Sequence, residues 1–418
     1  MELSNSFGER EVSGIMHCTR QIAPHIFWVG GNDRRLALFE NMFPLPNGVA
    51  YNAYLIVDEK VALLDTVDSS ITRQFFENIG QVLNGRAIDY LVVNHMEPDH
   101  CANIEELCRR FPGMKIVGNS KTFQMIRQFY DFDIENNILE VREGDVLPLG
   151  LHSLRFYFAP MVHWPEVMFT YEEHKGILFT ADAFGSFGAL SGNLLNDELD
   201  FENIFLDEAR RYYANIVGKY GAQVQAALKK VSDVKIRMLC PLHGPVWHKN
   251  LDYILTKYDL WSRYAPEKEG VVLAYASMYG NTENAAAVIA NRLAEKGVRD
   301  MRVYDVSKTH VSYIIADAFK YSHLVLAAPT YNAGLYFGME ALLRDMAALN
   351  LQNRKIALVG NGSWAPASHT VMQKLISEMK GMELLIPPLV IRSSLKSSQM
   401  EELTALADAV GDSVLNRA

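Results

Sequence analysis

The sequence predicts an α/β protein built from two successive modules, and three observations carry that reading. A run of candidate metal ligands, Asn94-His95-Met96-Glu97-Pro98-Asp99-His100, stands directly behind the apolar stretch Tyr90-Leu91-Val92-Val93. His163, Asp182 and His243 then follow later apolar runs. Beyond residue 270 the pattern becomes a regular alternation of buried-strand runs and helical stretches, which predicts an open parallel sheet.

Composition narrows the class before any motif is used. A chain of 418 residues has room for about two to three domains, and 49% hydrophobic with 21% charged residues is a globular balance. The net charge of -9 argues against nonspecific binding to nucleic acid or to acidic membrane surfaces. Cys18, Cys101, Cys108 and Cys240 include no C-x-x-C pair, so neither a disulfide framework nor a thiolate metal cage is expected. A reducing, cytoplasmic setting is the simplest home. Met1 to Cys18 lacks the apolar core of a signal peptide, and no stretch is long and apolar enough to span a bilayer.

In chain order, His25 to Val29, Ala53 to Val57 and Val61 to Asp65 read as strands, the last two joined by the turn Asp58-Glu59-Lys60. A helical pattern over Ile71 to Leu83 leads to the strand that delivers the ligand run, and a second helical pattern spans Ile104 to Arg110. Strands return at Leu154 to Phe158, Val167 to Tyr171 and Ile177 to Thr180; His163 follows the first and Asp182 the last. A mainly helical insertion over Gly185 to Lys230 precedes the strand Ile236 to Cys240, which runs into Pro241-Leu242-His243. Cys101 and Cys240 stand beside ligand positions but read as small buried hydrophobes.

Two imidazoles and two carboxylates crowded at a strand end are costly to bury unless a cation compensates them and fixes their orientation. With His163, Asp182 and His243 the chain offers four histidines and three acids, enough for two metals with Asp182 between them. The order and spacing of the seven positions resemble the metallo-β-lactamase fold, an αββα sandwich with its metal site at one edge of two facing sheets. Hydrolases of that superfamily usually show H-x-H-x-D-H, whereas this chain has His95-x-Glu97-x-Asp99-His100. A harder, anionic oxygen donor in place of an imidazole shifts preference from zinc toward iron. The expected centre is a non-haem diiron site, with His95, Glu97 and His163 on one iron, Asp99, His100 and His243 on the other, and Asp182 bridging.

The segment 251–269 ends in Ala265-Pro266-Glu267-Lys268-Glu269 and reads as a linker between modules at 1–250 and 270–418. The second module opens with the strand Val271 to Ala276 and the loop Ser277-Met278-Tyr279-Gly280-Asn281-Thr282, then a helix from about Glu283 to Lys296. A hydroxyl-rich loop with one glycine at a helix N-terminus can wrap a phosphate. Strands follow at Met301 to Val306, His323 to Ala328, Lys355 to Gly360 and Leu384 to Ile391, making five. Two turns, Pro329-Thr330-Tyr331-Asn332-Ala333-Gly334 and Asn361-Gly362-Ser363-Trp364-Ala365, bring Tyr331 and Trp364 to the carboxyl edge of the sheet, where a flat ring can lie between aromatics. This half resembles flavodoxin, a doubly wound five-stranded parallel sheet, and the resemblance implies that these three loops hold FMN.

The two halves together resemble the flavodiiron proteins, also called A-type flavoproteins. The resemblance implies that FMN feeds a diiron site that reduces O2 to water, NO to N2O, or both. Two electrons from the reduced flavin and two from a diferrous pair make the four that O2 requires. The chain reaches Ala418 without a trailing C-x-x-C pair, so a separate donor such as rubredoxin or another reduced carrier is expected. The family also implies a head-to-tail homodimer or a dimer of dimers. Two alternatives come from other classes: a dizinc hydrolase with an accessory flavodoxin domain, and a noncatalytic electron-transfer flavoprotein without metals. Glu97 speaks against the first and the intact set of seven ligands against the second.

Overall fold

Apolar runs on either side of Asp58-Glu59-Lys60 pair as an antiparallel hairpin, Tyr54–Val57 against Val61–Leu64, with Val57 opposite Val61. Asp58 holds the turn by accepting the Glu59 amide at 2.8 Å. In the computed structural model, which describes residues 18–416, this hairpin is the middle of a seven-stranded sheet. The expected absence of a leader over Met1 to Cys18 falls, except for Cys18, outside the described residues.

The sheet runs in the order Arg20–Ala23, Ile26–Trp28, Tyr54–Val57, Val61–Leu64, Tyr90–Val92, Lys115–Gly118 and Ile138–Glu140. Pairing is antiparallel as far as Val61–Leu64 and parallel beyond it. The parallel crossovers need helices on the outer face, and Thr72–Leu83 supplies one by burying Phe75, Ile79 and Leu83 at four-residue spacing. It stops where Asn84 turns left-handed at φ +46°. Helix Ser120–Phe129 starts at Asn119, whose side chain accepts the Lys121 and Thr122 amides while Thr122 Oγ1 accepts the Asn119 amide.

A five-stranded sheet faces the first, in the order Val146–Pro148, Ser153–Phe158, Met168–Glu172, Ile177–Phe179 and Met238–Cys240. The Tyr54 and Phe179 rings meet across the two sheets with centroids 5.1 Å apart. This is the expected αββα sandwich. Between its last two strands lie Phe201–Ile204, Leu206–Tyr212, a π-helical turn at Tyr213–Val217, and Gly221–Lys230.

That insertion is the surface on which the second module rests. Helix Val311–Lys320 packs on it, Arg211 Nη1 donates to Ser312 Oγ at 3.2 Å, and Asn215 Nδ2 donates to the Ser312 carbonyl at 3.2 Å. The segment 251–269 is also built into the contact: helix Leu251–Ser262 buries Ile254, Tyr258 and Trp261, and Glu267 accepts from Trp261 Nε1 at 2.8 Å and pairs with Arg210. The second sheet places Met301–Asp305, Lys268–Tyr275, Tyr321–Tyr331 and Lys355–Asn361 side by side and parallel, then Glu383–Leu384 and Leu389–Ile391. This is the doubly wound order 2-1-3-4-5. The fifth strand, expected as one run from Leu384 to Ile391, comes in two pieces because Pro387 and Pro388 have no N–H to give the ladder. No helix among the described residues is long and apolar enough to cross a membrane.

Candidate functional site

The ligand run leaves strand Tyr90–Val92 through a tightly held corner. Asp65, at the end of Val61–Leu64, accepts the Asn94 amide at 2.7 Å, the His95 amide at 3.1 Å and Asn94 Nδ2 at 2.7 Å. Asn94 Oδ1 in turn accepts from Thr170 Oγ1 at 2.6 Å, which ties the corner to the facing sheet. Asp99 and His100 do not lie in an open loop; they ride on the helical turn Pro98–Cys101, with Pro98 in the first position, where its missing N–H costs nothing.

All seven expected ligands converge in a buried cluster that falls into two groups: His95, Glu97, His163 and Asp182, and Asp99, His100 and His243. In the first, His163 Nε2 lies 3.0 Å from Glu97 Oε2 and 3.2 Å from Asp182 Oδ2, and His95 Nε2 lies 3.1 Å from Glu97 Oε2. In the second, Asp99 Oδ2 is 3.3 Å from Nε2 of both His100 and His243. Asp182 turns Oδ2 to the first group and Oδ1 to the second, 3.1 Å from His100 Nε2. One carboxylate thus spans both.

Distant groups aim the rings. Glu166, fully buried, accepts from His95 Nδ1 at 2.8 Å, and the Ala50 carbonyl accepts from His243 Nδ1 at 2.9 Å, so each ring directs Nε2 inward. His100 also turns Nε2 inward, but its buried Nδ1 has no partner. Burial opposes charge at His95, but the attraction of Asp182, Glu166 and Glu97 overrides it and holds the ring well above the usual histidine range. In the same way His163 is raised to about 9 by Asp182 and Glu97, while the histidines hold Asp182 and Glu97 well below the usual carboxylate range.

The donor set fits a pair of metal ions. Both oxygens of Asp99 and Oδ1 of Asp182 are buried without an aligned hydrogen bond, although His100 Nε2 stands 3.1 Å from Asp182 Oδ1 and Nε2 of both His100 and His243 stands 3.3 Å from Asp99 Oδ2. Such acceptors are expensive unless something positive faces them. Nε2 of His100 and His243 approach to 3.0 Å, converging on a point that a cation can occupy. Four imidazoles and three carboxylates form a mixed nitrogen and oxygen set suited to iron.

The second site is a cleft of about 450 Å³ at the carboxyl edge of the parallel sheet. All three expected loops line it, through Ser277, Met278, Tyr279, Asn281 and Thr282, through Pro329 to Ala333, and through Asn361 to Ala365, whereas Gly280 and Gly334 are not part of the lining. Gly280 caps the helix Asn281–Lys296 at φ +85° and donates its amide to Ser277 Oγ at 3.1 Å, which leaves the helix N-terminus facing the cleft. A Cβ on Gly362 would come within 2.7 Å of Pro366 Cα, so only glycine lets this loop close beside Thr330. Tyr279 and Trp364 are 91% and 89% exposed, uncovered aromatic faces of the kind that grip a flat heterocycle.

Several groups at these sites escaped the sequence reading. Asp65 carries the same signal as Asp182, an acid closing an apolar run, and could have been found by it. Glu166 stands just before a strand, but its contact with His95 bridges a separation of 71 residues and leaves no local trace. Glu40 lies on the turn between Leu38–Phe39 and Phe43–Pro44, and although the residue as a whole is exposed, burial of its carboxyl and the charge of Glu97 push it up to about 8. Ser393 joins the cleft from beyond the fifth strand and donates from Oγ to Ser363 Oγ at 2.9 Å. Trp164, Phe184, Phe187 and Tyr212, by contrast, are candidates from the sequence for controlling access that only the fold can place: Trp164 and Tyr212 wall the cluster, with ring centroids 5.5 Å from His95 and 5.3 Å from His243, while Phe187 packs behind Tyr212 and Phe184 packs on Tyr258.

Comparison with known proteins follows the same division. A model of the ODP family beta lactamase matches residues 49–244, and a flavodoxin model matches residues 273–403. The nitric oxide reductase of Moorella thermoacetica is 30% identical over 370 residues, covering 88% of this chain and 91% of its own. The anaerobic nitric oxide reductase flavorubredoxin of Aliivibrio salmonicida is 32% identical over 352 residues, covering 83% of this chain and 70% of its own. The rubredoxin oxygen:oxidoreductase of Desulfovibrio gigas superposes with a TM-score of 0.88 at 26% identity, covering 96% of this chain and 99% of that one. The flavodiiron protein of Giardia intestinalis gives 0.90 at 22% identity, covering 96% and 98%, a likeness of fold. A zinc hydrolase is not the reading these relatives favour. With matching models in both halves, a near full-length relative and the Glu97-containing cluster at the sheet edge, the chain belongs to the flavodiiron proteins.

Proposed function

We propose that this chain is an oxidoreductase that reduces O2 to water, NO to N2O, or both, with two irons held by the seven clustered side chains and FMN in the aromatic cleft. The observation that carries the reading is Asp182, buried between two ligand groups with one oxygen turned to each. His95, Glu97 and His163 would hold one iron and Asp99, His100 and His243 the other, with Asp182 available to both. When bound, FMN supplies two electrons and the iron pair two more, which together meet the four-electron demand of O2, while joining two NO molecules takes two.

The chain's own groups prepare the site for that chemistry. Glu166 and the Ala50 carbonyl fix the tautomers of His95 and His243, so their Nε2 lone pairs face inward. Phe39, Tyr51, Trp164 and Tyr212 surround the ligand rings and exclude bulk water. Burial and the neighbouring charge of Asp182 hold the Tyr212 hydroxyl well above the ordinary tyrosine range, so it stays protonated as a donor at the edge of the cluster. In the cleft, the backbone N–H groups at the start of Asn281–Lys296 and the Ser277 and Thr282 hydroxyls suit the phosphate, and Tyr331 and Trp364 flank the ring.

The two sites share no residue, so electrons must travel between them. A head-to-tail homodimer, alone or doubled, brings one chain's cleft against its partner's cluster. Uncovered apolar side chains at both places support this: Trp364 and Phe337 by the cleft, Met42 and Phe129 near the cluster, with Phe129 stacked on Trp164. Reducing equivalents come from a separate carrier such as rubredoxin. The test is to reduce the loaded protein anaerobically and add O2 or NO. Consumption with water or N2O as product is expected, and a reduced protein inert to both gases would overturn the proposal.

A further inference from the structure

We propose that His152, His25 and His174 form a third metal site, for one divalent transition cation of the zinc type, at the end of the sandwich opposite the iron ligands. Strand Ser153–Phe158 runs from His152 toward His163, and its antiparallel partner Met168–Glu172 ends at His174, so both rings lie at the far end of the five-stranded sheet. His25 comes from the facing sheet, directly before strand Ile26–Trp28, where its carbonyl accepts the Val57 amide.

The observation that points to a ligand is at His152. The residue is 1% exposed, and Nδ1 lies 2.8 Å from Glu172 Oε1, a fully buried carboxylate that also accepts the His174 and Lys175 amides. With Nδ1–H donating to Glu172, Nε2 is the ring nitrogen left to take a ligand. That atom is buried and has no hydrogen-bond partner. A buried acceptor without a donor is unfavourable, whereas a carboxylate behind an imidazole whose other nitrogen is free is the arrangement that orients histidine toward a metal. Two further imidazoles stand beside it: His174 at 5.5 Å between centroids and His25 at 6.2 Å, both nearly perpendicular to His152 and both exposed. The imidazole pairs of the iron site, His100–His243 and His95–His163, stand at 4.6 and 5.2 Å. The outer rings do not yet bring their nitrogens together as the iron-site ligands do, so binding a cation requires the two exposed rings to turn inward. Three imidazoles with water in the fourth position suit zinc, cobalt, nickel or copper better than hard cations.

Co2+ titrated into the iron-loaded protein tests this, with iron content followed throughout. The wild type is expected to bind about one Co2+ per chain beyond its irons, with the visible bands of a nitrogen-rich site, and Zn2+ is expected to displace it. The double variant H25A/H174A changes only exposed positions and is expected to bind at least ~100-fold more weakly while keeping its iron and its melting temperature. Zn2+ should raise the melting temperature of the wild type and not that of the variant. No uptake beyond the irons, uptake matched by iron loss, or equal affinity in wild type and double variant would each overturn the proposal.

Discussion

Asp182 is fully buried, with His163 and His95 facing one oxygen and His100 and His243 the other, so this one side chain faces four of the proposed ligands. Asp182→Ala is expected to lose most of the reductase activity and much of the bound iron while FMN content stays normal; full activity would remove the bridging assignment. Glu166→Gln leaves the ligands in place but weakens the acceptor behind His95, and is expected to lower iron affinity about 10- to 100-fold in an equilibrium titration. The charge balance of the clustered side chains sets a pH dependence for metal loading. Because His163 keeps its proton up to about 9, loading at neutral pH must expel that proton. Iron affinity should therefore rise with pH through the neutral range by about tenfold per pH unit for each proton expelled, whereas a flat profile from pH 6.5 upward would contradict the account. In the metal-free fold the same raised pKa adds stability below the ordinary histidine value, and that contribution is lost as pH climbs through about 9. The seven clustered positions stand out in the sequence because each lies just beyond an apolar run. Glu166 and the Ala50 carbonyl were not, since their partners are brought to them only by folding.

At the scale of elements, three loops on successive strands make one cleft, and each can be tested alone. Gly362→Ala places a Cβ against Pro366 and is expected to disturb the turn that carries Trp364, weakening FMN binding while iron content stays unchanged. Trp364→Ala removes a side chain that supports almost nothing in the fold, so stability should hold within about 0.5 kcal/mol. FMN binding should nevertheless weaken by about 3- to 10-fold in a fluorescence titration, and unchanged affinity would separate Trp364 from the ring site. Strand and helix periodicity gave these elements their order, and the hydroxyls and aromatics gave the loops their chemistry. The split of the last strand was written in Pro387-Pro388, yet the apolar run around them masks it. The π-helical turn at Tyr213–Val217, next to Tyr212 at the metal cluster, had no such signal, because it is set by packing between the insertion and helix Val311–Lys320.

For the whole molecule, what matters is how the two modules are held and how two chains pair. Arg354 is buried and donates to the carbonyls of Tyr264, Ala318, Phe319, Gln352 and Asn353, so it fixes the end of helix Val311–Lys320 to the segment entering the second module. Phe129→Asp combined with Phe337→Asp puts charge at exposed apolar positions near both sites. The variant should keep FMN and iron but run as a monomer in sedimentation, with slowed electron delivery from flavin to metal; a monomer of full activity would remove the head-to-tail arrangement. Module order was readable from the change of pattern near residue 270, but the mutual seating of the modules was not, because Glu267, Arg210 and Trp261 meet only in three dimensions. The central claim is that one chain holds an iron pair and a flavin together. Iron, zinc and FMN quantified in the same purified sample test it most directly: two irons and one FMN per chain, with little zinc, is the predicted result, and zinc in place of iron, or flavin without iron, would contradict it.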